Sequence, residues 1–256
     1  MSKKVRIAFV DILDHPEISF MEEYKDTINQ CLIDNQEVDF LTLSNVDFCS
    51  LDNSGYDGFI ISGSVTPYCS QEEWVVDLCG FIRRLYINNK VPLLGLCMAH
   101  ELIAVLFGGL VQPGITKEIG TVKLKKTPEG HDSPLLQGTQ DVIQLLAAHS
   151  RDVVIWPEEA ILLAGNARCQ CQIFKLKNLY GIQSHPEVGM DAMKKWLRGR
   201  EGTDSLIKQG FIDDENELVQ FLSENIKECN DRLIIFKNFI DICSEKKLNK
   251  NIHNDI

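Results

Sequence analysis

Two short segments carry side chains that could do covalent chemistry together. In Leu93-Leu94-Gly95-Leu96-Cys97-Met98-Ala99-His100-Glu101-Leu102, an apolar run passes through Gly-x-Cys straight into helical spacing. A cysteine at such a strand-to-helix elbow has its sulfur lifted above the C-terminal edge of a sheet, and Gly95 leaves room for the sharp turn. The dipole and free N–H groups of the helix start favour the thiolate, the form that attacks carbonyl carbon. In Gly181-Ile182-Gln183-Ser184-His185-Pro186-Glu187, an apolar strand delivers a histidine, a rigid proline and a carboxylate. With Cys97 as nucleophile, His185 can shuttle the proton and Glu187 can orient and stabilise the imidazolium. Phe59-Ile60-Ile61-Ser62-Gly63-Ser64 ends a strand in small residues, so backbone N–H groups there, with that of Met98, can approach a developing oxyanion. Each segment also has a plain reading: a core cysteine, a histidine before a turn, a strand-end turn.

The elements that must position these residues are legible around them. Residues 5–11, 38–43, 56–62 and 91–96 are compact apolar runs suited to buried strands. Between them, 20–33, 74–88 and 98–107 carry apolar residues at helical spacing, the last stopped by Gly108-Gly109. This alternation predicts a parallel sheet covered on both faces. Beyond residue 110, short strands near Val111 and over 120–125, 142–146, 161–166, 170–176 and 181–183 predict a mixed or antiparallel extension of the same sheet. The fold class is α/β: an open, mostly parallel sheet flanked by helices, with a C-terminal helical addition. The boundaries are 1–200 for the main domain and 201–256 for a helical extension packed on it. Leu218, Leu222, Ile226, Cys229, Leu233, Phe236 and Ile240 recur at three- and four-residue steps. Such a stripe docks on the parent domain, the preferred reading, or pairs with a second copy as a homodimer. The polar segment 245–256 is expected to fray.

Composition removes several function classes. Hydrophobic residues at 44% and charged residues at 25% describe a globular chain with a sizeable core, which excludes disorder. No apolar run approaches the roughly 20 residues of a membrane span. A net charge of -11 opposes a phosphate-binding surface, so nucleic acid is not an expected partner. The basic start Met1-Ser2-Lys3-Lys4 leads into a strand rather than a signal segment, and nine cysteines then read as reduced thiols of a cytoplasmic protein. Cys169 and Cys171 alternate in an expected strand and read as core; no metal site and no cofactor are expected.

Gly95-x-Cys97-x-x-His100, an apolar helix ending in Gly108-Gly109, and Gly181-x-Gln183-x-His185-Pro186-Glu187 together resemble the class I (triad) glutamine amidotransferases, whose sheet is flavodoxin-like. Ser62-Gly63-Ser64 followed by Trp74 most resembles the free-standing, GMP-synthetase-like branch, which includes γ-glutamyl peptidases. The likeness runs from about residue 5 to 197, and 233–239 resembles the closing helix of that branch. The resemblance implies that Cys97 attacks the side-chain amide of glutamine and that Gly63 or Ser64 and Met98 hold the oxyanion. His185 then protonates the departing ammonia, and water releases glutamate from a γ-glutamyl thioester. Ammonia in this family usually passes to a synthetase partner, and no P-loop appears in this sequence to supply that chemistry itself. His149-Ser150 corresponds to a His-containing segment lining the donor pocket, or else is a surface turn.

Two departures from the family pattern bear on the donor. Ala99-His100-Glu101 stands where Gly-His-Gln is usual. An ionised Glu101 offers only acceptors, so it selects a more cationic donor or an amide other than free glutamine, unless it is protonated or turned away. Ser184 replaces a bulkier aromatic and is expected to widen the pocket. Three functions follow: an amidotransferase-type glutaminase, a stand-alone hydrolase of γ-glutamyl amides, and a catalytically silent binding module on the same fold.

Overall fold

The structure, a computed structural model, describes residues 4–15 and 17–254, with only the backbone described at 114–116 and 249–254. One nine-stranded sheet runs in the order β2-β1-β3-β4-β9-β8-β7-β5-β6. β1 (Val5–Asp11), β2 (Gln36–Thr42), β3 (Gly58–Ile61), β4 (Leu93–Leu96) and β9 (Leu179–Ile182) pair in parallel. β8 (Ile173–Leu176), β7 (Ile161–Gly165), β5 (Leu110–Lys126) and β6 (Val142–Ile155) continue it antiparallel. Continuous apolar runs make the central strands because both faces are covered: every residue of β3, β4 and β9 is buried.

One face is covered by α2 (Glu73–Asn88) and α3 (Met98–Leu106), with Phe59 and Phe81 packed edge to face at 4.9 Å. The other is covered by α1 (Met21–Asn29), α5 (Met190–Arg198), α6 (Arg200–Gln209) and α8 (Asp231–Asn254). The order 2-1-3-4 reverses at β1, so the chain leaves β1 and β3 in opposite directions and opens a crevice above them. Ligands of open α/β sheets bind at such a switch point.

The structure differs from expectation in the second half. β5 and β6 are 17 and 14 residues long and form one ribbon, joined through α4 (Pro128–Asp132), instead of short separate strands. Pro113, Gly114 and polar residues interrupt the apolar pattern in β5, and a register shift between Pro113 and Glu118 absorbs the irregularity. Cys169 and Cys171 are buried, but they precede β8 in a turn held by the Asn166 side chain, not in a strand.

The apolar stripe is not one helix. α7 (Leu218–Asn225) stops, the chain turns through 226–230, and α8 resumes with the same face inward. Leu222, Ile226, Cys229, Phe236 and Ile240 are all buried against the sheet layer, so the stripe is spent within the chain. The helix also continues past residue 245 to Asn254, and Lys247 pairs with Asp57 at 2.7 Å. Residues 1–3, 16 and 255–256, including the basic start up to Lys3 and the last of the tail, lie outside the described residues.

Candidate active site

The elbow is present in the backbone. Cys97 has φ 47° and ψ −105°, a conformation that a residue with a Cβ holds only at a cost of about 1–3 kcal/mol. Its N–H donates to the carbonyl of Ile182 at 2.8 Å, and its own carbonyl accepts the N–H of Glu101 at 3.0 Å as the first turn of α3. Gly95 makes the turn possible, since a Cβ there would lie 2.8 Å from Ile103 Cδ1 and 3.0 Å from the Ala99 backbone. Cys97 therefore caps α3 and lines the crevice, 7% exposed.

β9 runs beside β4 and brings the histidine to the sulfur. His185 donates its backbone N–H to Leu146 of β6 at 2.7 Å, and its Nδ1 lies 2.8 Å from Glu187 Oε1. Burial alone would lower the pKa of His185; the Glu187 carboxylate and the Cys97 sulfur outweigh it and hold it well above the ordinary histidine value. Gly63 fits between these two side chains: a Cβ there would sit 3.0 Å from both Cys97 Cβ and His185 Cε1. The sulfur, the imidazole and the strand-end backbone thus meet at one point, with the carboxylate behind. The N-terminal N–H groups of α3 have no intrahelical acceptors, so that of Met98 is free to donate, as the oxyanion role requires.

Glu187 is fully buried and anchored through its backbone: its carbonyl accepts from Thr27 Oγ1 at 3.1 Å, and Thr27 Oγ1 accepts from Arg232 of α8 at 2.7 Å. Glu101 is also buried, and does not present a free carboxylate. Its Oε2 accepts from Arg151 Nε at 2.9 Å, and its Oε1 lies 3.5 Å from Gln183 Nε2, which is 3.8 Å from Cys97 Sγ. Burial pushes the Glu101 carboxyl above the usual range, and the guanidinium opposes that push. His100 is a core residue, packed 4.9 Å from the Phe174 ring and pushed down to about 3 by burial.

The expected donor-pocket residues lie elsewhere. His149 is buried with Nε2 3.1 Å from Glu118 and Nδ1 3.3 Å from Asp152. Burial would lower its pKa, but these carboxylates hold it at about 9. Ser150 is on the outer surface, and it is Ala148, two residues earlier, that faces the crevice. Ser184 is fully buried and donates to Gln172 at 3.0 Å, so it belongs to the polar cluster around Glu118 rather than the pocket wall. Gln183, Arg151 and Thr27 join the site without having been expected there. Gln183 had a signal, since it lies two residues before His185 in the short segment that follows β9. Arg151 and Thr27 had none, because their partners are 50 and 160 residues away.

Comparison with known proteins settles the family. The glutamine amidotransferase class-I profile matches residues 17–200, well over half of the chain. The chain belongs to the class-I glutamine amidotransferase family. This amidotransferase-family chain is 32% identical over 115 residues to a glutamine-hydrolyzing GMP synthase subunit of Methanosphaera stadtmanae, covering 44% of the chain and 60% of that protein. It is 30% identical over 142 residues to gamma-glutamyl peptidase 4 of Arabidopsis thaliana, covering 54% and 56%. It thus spans less than two thirds of either relative. A crystal structure of a putative GMP synthase subunit from Thermoplasma acidophilum superposes with a TM-score of 0.68 at 19% identity, over 98% of this chain and 100% of that one. A glutamine amidotransferase from Thermotoga maritima gives 0.69 at 18% identity, over 94% and 98%. The sheet and flanking helices are those of the class-I glutamine amidotransferase fold.

Proposed function

We propose that the chain is a cysteine amidohydrolase that cleaves the γ-amide of glutamine, or of a substituted γ-glutamyl amide, through a γ-glutamyl thioester. The observation that carries this reading is the meeting of Cys97 and His185 at Gly63, with His185 held on Glu187. The sulfur of Cys97 attacks the amide carbon, and the N–H groups of Met98 and of Gly63 or Ser64 take the charge on its oxygen. His185 gives its proton to the departing nitrogen as the carbon–nitrogen bond breaks. The same imidazole then removes a proton from water, which attacks the thioester and frees glutamate and the thiol.

Arg151 supports a role for Glu101 in donor binding. Glu101 holds the guanidinium by Nε alone, which leaves the Nη groups to meet the α-carboxylate of a glutamyl donor. Similarity to a glutamine-hydrolyzing GMP synthase subunit favours a separate synthetase as acceptor of the ammonia, and nine free thiols fit a cytoplasmic setting.

The test is ammonia release from glutamine and from γ-glutamyl amides by the purified chain, with mass analysis of Cys97 after exposure to a glutamine-like electrophile. Expected results are Cys97-specific labelling, and turnover that Cys97→Ala abolishes. Retained turnover in Cys97→Ala, or equal labelling of the other thiols, overturns the reading.

A further inference from the structure

The crevice above Cys97 is larger and less polar than glutamine hydrolysis requires. It encloses about 380 Å³ and is walled by Phe20, Tyr24, Val65, Val188, Met193 and Trp196. Besides His185, its titratable side chains include His15 and Glu201, which lie 3.1 Å apart and are turned to each other. That volume falls in the range of small-molecule pockets, whereas departing ammonia is the size of a water molecule.

Geometry decides which half of a substrate would enter it. The carbonyl oxygen must face the N–H groups at Gly63 and Met98, and the departing nitrogen must face His185, which protonates it. Cys97, Gly63, Ser64 and His185 all line the cavity, so the scissile bond lies within it; the apolar residues Val188, Met193 and Trp196 come from the segment that follows His185 and from α5. Glu101, Gln183 and Arg151, the polar groups suited to a glutamyl head, are not in that wall. The apolar part of the cavity, walled by the segment after His185, therefore lies on the nitrogen side of the scissile bond.

We propose that it is a leaving-group subsite, and that the substrate is a γ-glutamyl amide whose nitrogen carries an apolar substituent of about the size of an aromatic ring. The proposal rests on the amidohydrolase reading above and names its substrate class. In the first step the bond from Cys97 Sγ to the γ-amide carbon forms and the carbon–nitrogen bond breaks. The nitrogen takes the His185 proton and leaves as a neutral primary amine through the cavity mouth; water then releases glutamate. No co-reactant other than water is needed. An apolar wall gives water in the cavity few hydrogen-bond partners, so a ring that displaces it gains binding at no polar expense.

The experiment compares kcat/KM of the purified chain on glutamine, γ-glutamylmethylamide and γ-glutamylphenethylamide, with Cys97→Ala as control. The phenethylamide is expected to exceed the methylamide by about tenfold or more, the discrimination an apolar pocket supplies. The ratio should fall towards one in Trp196→Ala, and in the milder Phe20→Leu should Trp196→Ala prove unfolded by circular dichroism. A wild-type ratio at or below one, with glutamine still hydrolysed through Cys97, overturns the subsite alone and makes the cavity an ammonia exit or partner-docking site. A ratio that survives both variants also overturns it. Absence of Cys97-dependent hydrolysis of all three amides overturns the amidohydrolase reading and the subsite with it.

Discussion

At the residue scale, the proton of His185 answers to burial and to two neighbours. Burial opposes the imidazolium while Glu187 and the Cys97 sulfur favour it, and the net direction is upward. Imidazolium is then present at neutral pH and lost only as pH rises through the raised pKa, so the alkaline limb of kcat/KM should lie above the ordinary histidine range. Glu187→Gln removes the largest favourable contribution and should move that limb to lower pH; an unmoved limb would mean that Glu187 does not act on the imidazole. Glu101 and Arg151 make a second residue-scale case. Arg151→Ala leaves a carboxylate that is 1% exposed without its cation, which should cost about 3–5 kcal/mol in denaturant unfolding at neutral pH. Burial, already the largest influence on Glu101, would then act without the opposing guanidinium and raise its folded pKa further. The loss should therefore shrink as pH falls and the carboxyl is protonated in both states. Adding Glu101→Gln should restore most of the stability.

At the scale of elements, α8 reaches the site without lining the crevice. Arg232 at its first turn donates to Thr27 of α1, which donates to the backbone carbonyl of Glu187. Arg232 is a positioning residue, and Arg232→Ala should lower kcat several-fold with little change in KM, while shifting the alkaline limb of the pH profile as Glu187 drifts from His185. A purely structural role would leave that limb in place. Element types in the first half were readable because parallel strands buried on both faces are continuous apolar runs. The β5–β6 ribbon was not, because its far end is polar, holds Pro113 and Gly114, and is paired through long-range hydrogen bonds that local patterning does not register. The turn at 226–230 was missed for a related reason: the three- and four-residue apolar spacing carries across a break when both helices present the same face.

For the molecule as a whole, the C-terminal helices belong to the same core as the sheet. Phe236, Phe239, Ile240 and Cys243 are fully buried against β1, α1 and their neighbours. Phe236→Ala should cost about 3–5 kcal/mol in denaturant unfolding, a large share of the roughly 5–15 kcal/mol that holds a domain together. Turnover per folded molecule should change little, since Phe236 is not part of the crevice wall.

The residues proposed to react could be read directly from the chain. Cys97 at a strand-to-helix junction and His185-Pro186-Glu187 after a short strand are local patterns, and local patterns survive in sequence because one element's geometry sets them. What surrounds them was decided by tertiary structure alone. Glu101 meets Arg151 through a packing contact, His149 is locked by Glu118 because β5 and β6 pair in one register, and the apolar crevice exists because segments following β1, β3 and β9 converge with α5 at the switch point. Each depends on residues far apart in the chain brought within a few ångströms by the packing of whole elements, and no spacing along the sequence encodes that distance.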